Sequence, residues 1–157
     1  MTSQQAQEPE AGVHWGQRQP HQTGIAMITV TPLYGGLLAI WFLILSVRVI
    51  LGRVGPGKPS LGDGGSPDML RRIRGHANFS EYVPLFVLLI ALLELSGQPK
   101  WVLHILGSVL LAGRLLHGYA FSFTQDHVLG RSAGIVLTFT SLAFSAALCV
   151  FIGMRAL

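Results

Sequence analysis

Arg74, Asn78 and Glu81 stand at i, i+4 and i+7, the spacing that places three side chains on one face of a helix. Arg114, His117 and Phe121 follow a similar rule at i, i+3 and i+7. Arg48 and the adjacent pair Arg131-Ser132 add polar groups to two further stretches that are otherwise apolar. A guanidinium grips a carboxylate through paired N–H donors, and a carboxylate such as Glu81 takes an amine. The set therefore suits a ligand with carboxylates and at least one amine. The one cysteine, Cys149, lies far along the chain from these residues, so the chain supplies no obvious nucleophile among them. A single cysteine also excludes a disulfide framework and a cysteine-based zinc site, and no metal is expected.

Each group has a plainer reading. Arg53, Arg71 and Arg72 serve as topology determinants. Asn78-Phe79-Ser80-Glu81 has the spacing of a capping box. Arg131 fits an interfacial snorkelling residue, and His117 alone fits a packed interior histidine. Arg114 resists such a reading, because it falls roughly 13 Å inside its helix at 1.5 Å per residue. It needs a partner, and Glu81 is the candidate.

The elements that must position these residues follow from composition. The chain has 157 residues, 50% apolar and 11% charged, where soluble domains carry about 25% charged residues. With a mean hydropathy of +0.52, disorder and a charge-solvated globule are excluded. The pI near 9.8 accompanies a net charge of only +4 and no basic stretch interleaved with aromatics, so no nucleic-acid partner is expected. A bilayer core of about 30 Å needs about 20 mainly apolar helical residues. Four stretches meet that length, at about 25–51, 77–95, 101–123 and 133–154, giving an all-α membrane bundle in the lipid bilayer.

Residues 1–24, rich in Gln, Pro, His and Glu, read as a flexible tail ahead of a membrane domain at 25–157. No basic-then-apolar leader with a cleavage site opens the chain, so the first span is expected to do the targeting. Ser66-Pro67-Asp68 is a helix start, so the second helix begins near Pro67, ahead of the membrane. Pro84 should kink that helix one turn beyond Glu81. Gly35 with Ala39, Ser108 with Ala112, and Ser141 with Ser145 are small-residue pairs that let helices approach closely.

Lys and Arg set the sidedness. Arg48, Arg53, Lys58, Arg71, Arg72, Arg74 and Arg131 flank loops one and three, against Arg18, Lys100 and Arg155 on the other side. Loops one and three are expected in the cytoplasm and both termini outside or lumenal. The polar groups of all four helices then lie at a similar depth from the cytoplasmic side, as one shared pocket would require.

The run Arg74-Gly75-His76-Ala77-Asn78-Phe79-Ser80-Glu81-Tyr82-Val83-Pro84-Leu85-Phe86 resembles the R-x-x-x-N-x-x-E-Y-x-P-L-F pattern of microsomal glutathione transferases and leukotriene C synthase, in the MAPEG family. Ala112-Gly113-Arg114-Leu115-Leu116-His117 is similar to the third-helix motif of its prostaglandin E synthase branch. The resemblance, over about residues 30–155, implies a left-handed four-helix bundle, a homotrimer, and glutathione bound between subunits near the cytoplasmic side. It implies glutathione contacts from Arg48, Arg74, Asn78, Glu81, Tyr82, Arg114 and His117. Arg131-Ser132 resembles a pair in which one residue activates the thiol. Phe121 departs from the pattern, since eukaryotic relatives often have a tyrosine there; Tyr119, two residues away, belongs to another helix face.

The resulting expectation is a glutathione-dependent transferase or peroxidase acting on lipophilic electrophiles or lipid hydroperoxides, its apolar substrate arriving from the bilayer. The alternative is a non-enzymatic lipid-binding scaffold like the lipoxygenase-activating member of the family. A small four-helix exporter fits less well, because no carboxylate falls at mid-membrane.

Overall fold

The computed structural model describes residues 28–125 and 127–156. The tail at 1–24 and the beginning of the first expected span lie outside the described residues. Four helices form: α1 (Val30–Arg53), α2 (Pro67–Leu95), α3 (Lys100–Ser122) and α4 (Val128–Arg155). Each is long and apolar enough to cross a membrane, and no strand occurs among the described residues.

The helix ends follow from local chemistry. Ser66 accepts a hydrogen bond from the Met69 amide at 3.3 Å, and Pro67 opens α2 as expected from its fixed φ. Asp68 in that first turn pairs with Arg71 at 3.3 Å and Arg72 at 2.6 Å. At the other end of α2, Gly97 takes a left-handed φ of 75°, and its amide and that of Gln98 bond back to Glu94 and Leu93 carbonyls. The Glu94 carboxylate caps the neighbouring helix α1 rather than its own helix. It accepts from the amides of Thr29, Val30 and Thr31 at 2.6–2.8 Å, satisfying the orphan donors at the start of α1.

The bundle has a rhombic cross-section. α2 and α3 each pack against every other helix, while α1 and α4 do not touch among the described residues. α3 is central: 44% of its most apolar stretch is buried, against 11% for α1 and 17% for α4. Leu38, Leu45, Phe86, Ile90, Leu93, Leu103 and Leu110 fill the core. Large apolar side chains such as Ile40, Leu43, Val136 and Phe144 face outward, as a bilayer-facing surface requires.

Of the expected small-residue pairs, only Ser141 and Ser145 serve a helix contact within the chain, Ser141 donating to the Leu106 carbonyl of α3 at 2.7 Å. A Cβ at Gly35 would meet nothing within 4 Å, and Ser108 is exposed with its hydroxyl on its own helix. A close backbone approach occurs instead between α3 and α4 at Gly113 and Gly134, where a Cβ on Gly134 would fall 2.8 Å from the Gly113 carbonyl oxygen. That contact brings the polar residues of the two helices to the same level.

Candidate functional site

α2 contributes Arg74, Ala77, Asn78 and Glu81 to one wall of a cleft of about 340 Å³; His117 and Phe121 from α3 form its floor, and Arg131 and Ile135 from α4 the facing wall. The i, i+4, i+7 spacing on α2 thus acts as one polar face. On α3 and α4 the geometry is a column. The Arg131 guanidinium lies 4.7 Å above the Phe121 ring, and Phe121 lies 4.7 Å from the His117 ring. The side chain of His127 caps α4 by accepting from the Gly130 amide at 3.1 Å, immediately before Arg131.

Among the described residues, Arg74, Arg131 and Glu81 make no ion pair; the pairs present are those of Asp68 with Arg71 and Arg72. Two cations and one anion are therefore free to engage a ligand. They complement two anionic groups, such as a carboxylate and a thiolate, and one amine.

Behind the cleft lies a smaller pocket of about 80 Å³, bounded by Asn78, Tyr82, Arg114, Ile135, Thr138 and Phe139. Asn78 and Ile135 belong to both recesses. Arg114 is 2% exposed. Its Nε donates to the Thr138 hydroxyl at 2.9 Å and its Nη1 to the Asn78 side-chain oxygen at 2.9 Å. Thr138 in turn donates to the Gly134 carbonyl at 2.7 Å. Tyr82 stands edge-on to Phe139, ring centroids 5.3 Å apart.

Within this single chain, several expected residues stand elsewhere than in the cleft or have other partners. Glu81 is not the partner of Arg114: Asn78, one turn earlier, faces inward to meet it, while Glu81 turns outward into the larger cleft. The pocket is built by three helices of this chain rather than four. Arg48 donates to the Ser122 carbonyl, stacks 4.4 Å over Phe123 and lines a separate apolar groove with Ile40, Leu43, Ile44 and Val47. It sits on α1, which does not reach α4. Ser132 is exposed and outside the residues that line the cleft, since one residue turns the helix by about 100°. Tyr119 is exposed and stacks on Phe123 at 5.5 Å, away from the cleft.

Ile135, Thr138 and Phe139 were not singled out from the sequence. Their signal is the register of α4: Arg131, Ile135 and Thr138 fall at i, i+4 and i+7, the same interval as the polar face of α2.

The model of the MAPEG family matches residues 31–151, from the first turn of α1 to the last turns of α4. The inner membrane protein YecN of Escherichia coli K12 is 39% identical over 92 residues, covering 59% of this chain and 70% of YecN. YecN of Escherichia coli O6:H1 matches to the same extent. With four membrane-spanning helices and a family match across all of them, the chain belongs to the MAPEG family as a multi-pass integral membrane protein.

Proposed function

We propose that the protein is a membrane-bound enzyme that binds glutathione in the α2–α3–α4 cleft and joins it through its sulfur to lipophilic electrophiles or uses it to reduce lipid hydroperoxides. The observation that carries this reading is the meeting of unpaired Arg74, Glu81 and Arg131 in one recess. Arg74 takes a carboxylate of the tripeptide, Glu81 its amine, and the side-chain amide of Asn78 a peptide group. His117, buried on the floor, fixes Phe121 and through it the Arg131 column.

Arg131 is the catalytic residue of this proposal. A thiol of pKa near 8.5 is mostly protonated at neutral pH, and an adjacent guanidinium favours the thiolate. The thiol proton leaves to solvent; the thiolate sulfur then forms a bond to carbon as the leaving group departs with its electron pair. With a hydroperoxide the sulfur takes the terminal oxygen, an alcohol leaves, and a second glutathione yields disulfide and water. Ser132 lies outside the cleft lining and is assigned no step.

Arg48 fits an assembly in which a neighbouring copy completes the site. It lies on the helix least buried within its own chain and away from the chain's own cleft. A homotrimer of the kind the family resemblance implies supplies that neighbour. The charge bias supports a cytoplasmic side for loops one and three, and with them for the cleft mouth.

Phe121 favours a second reading, a lipid-presenting scaffold, because it lines the cleft without offering a hydroxyl. Equilibrium binding of glutathione, with conjugation of a generic aryl halide in liposomes, separates the two. Saturable binding with turnover supports the enzyme; absence of both at millimolar glutathione supports the scaffold.

A further inference from the structure

Ser, Thr, Asn and Asp are the residues that most often open a helix, and α4 opens on a histidine instead. The Nδ1 of His127 accepts from the Gly130 amide at 3.1 Å, and its carbonyl accepts from the Arg131 amide at 3.1 Å. A serine or asparagine cap holds at any ordinary pH. A histidine caps only while Nδ1 keeps its lone pair, with the ring proton on Nε2. An imidazole changes charge between about pH 8 and pH 5. The added proton goes to Nδ1, removes the acceptor and sets a cation at the positive end of the helix dipole. His127 is exposed, so protons reach it from water.

The turn that this bond closes is the one that carries Arg131. Gly130 is seated between the His127 ring and α3: a Cβ there would fall 3.0 Å from His127 Nδ1 and 3.3 Å from the Ala120 Cβ. Ala120 and Phe121 are consecutive on α3, as Gly130 and Arg131 are on α4. The glycine thus meets the buried alanine while the Arg131 guanidinium lies 4.7 Å over the Phe121 ring. A first turn that frays loosens both contacts together. The charged and titratable groups at this end are Arg131 on α4, His117 on α3, and Arg74 and Glu81 on α2, all of them lining the cleft. Asp126 precedes His127 in the chain, and α1 does not reach α4. We propose that His127 is a positioning residue that, while neutral, holds Arg131 over Phe121 and, on taking a proton, releases it, so that acid turns the cleft down. That this governs turnover rests on the glutathione reading; the hold on Arg131 does not.

The test uses the full chain in phosphatidylcholine nanodiscs and two readouts, one of which needs no ligand. The first is hydrogen exchange of the Gly130 and Arg131 amides, corrected for the intrinsic effect of pH on exchange. In the wild type their protection falls about fivefold from about pH 8 to pH 5.5, the scale of losing one helix cap. His127→Asn, an uncharged cap, keeps its protection at both pH values, and His127→Ala is weakly protected at both. Asp126→Asn retains the wild-type response to acid. The second readout is conjugation of an aryl halide, taken as the rate of wild type divided by that of His127→Asn at the same pH, which cancels the titration of the thiol. The ratio is near one at pH 8 and falls to about a fifth at pH 5.5. The proposal is overturned if wild-type protection ignores pH, a comparison that needs no variant to fold. It is also overturned if His127→Asn frays in acid as the wild type does, if Asp126→Asn loses the response, or if the rate ratio of an active enzyme stays at one. Protection that follows His127 with no turnover at any pH would overturn the proposed enzyme and leave the hold of His127 on Arg131 standing.

Discussion

At the scale of single residues, the proposed mechanism divides labour in the cleft between charges that hold and a charge that activates. Arg131 stands on Phe121 with no anionic partner among the described residues, so its field is available to a bound thiol. Arg131→Ala should lower the conjugation rate by about a hundredfold, the scale of losing one oriented electrostatic group. Glutathione affinity should change by only a few fold, and the ultraviolet absorbance of bound thiolate should disappear; unchanged turnover would remove Arg131 from the mechanism. In the same proposal Glu81 binds the amine. Glu81→Gln should weaken glutathione about tenfold, the cost of one charge-assisted hydrogen bond, and leave a deaminated analogue unaffected. Equal losses for both ligands would contradict the pairing of Glu81 with the amine. The face made by Arg74, Asn78 and Glu81 was legible in the sequence because helical spacing alone fixes it. The partner of Arg114 was not, since Asn78 and Glu81 both lie on that face and only the packing of α2 against α3 and α4 selects between them.

At the scale of elements, the helices were legible from length, hydropathy and the Ser66-Pro67 start, whereas the contacts that set their register were not. Glycine in a membrane helix gives the same signal whether it packs or faces lipid. Gly35 meets nothing, while a Cβ at Gly134 would fall 2.7 Å from the His117 Cβ and 2.8 Å from the Gly113 oxygen. Gly134→Ala should therefore push α4 off α3 and destabilise the bundle by about 1–3 kcal/mol, the usual cost of overpacking. Gly153→Ala, where nothing lies within 4 Å, should leave thermal stability unchanged in the same detergent. Equal melting temperatures for the two variants would show that the α3–α4 contact is looser than described. The cap that Glu94 places on α1 was equally hidden: from the sequence it was one more acid near a span end, and only the adjacency of α1 and α2 reveals its three amide partners.

At the scale of the whole molecule, one chain presents a polar cleft on α2, α3 and α4 and an unattached arginine on α1. Reading depth from the sequence placed Arg48 with the others, because depth says nothing about which side of a bundle a residue occupies. The homotrimer proposed above would reconcile the two by bringing Arg48 of one copy to the cleft of the next. In a Cys149→Ser background, Arg48→Cys combined with Glu81→Cys should give cross-linked dimers and trimers in membranes with a short bifunctional thiol reagent. Monomers alone, with both thiols still open to labelling, would contradict that assembly.

The most direct measurement of the central claim is equilibrium binding of glutathione to the protein in a lipid bilayer, wild type beside the double variant Arg74→Gln, Glu81→Gln. The account predicts saturable binding by the wild type and a loss of about a hundredfold in the double variant, two charge-assisted contacts removed together. Wild-type binding that never saturates, or that the double substitution leaves untouched, would contradict it.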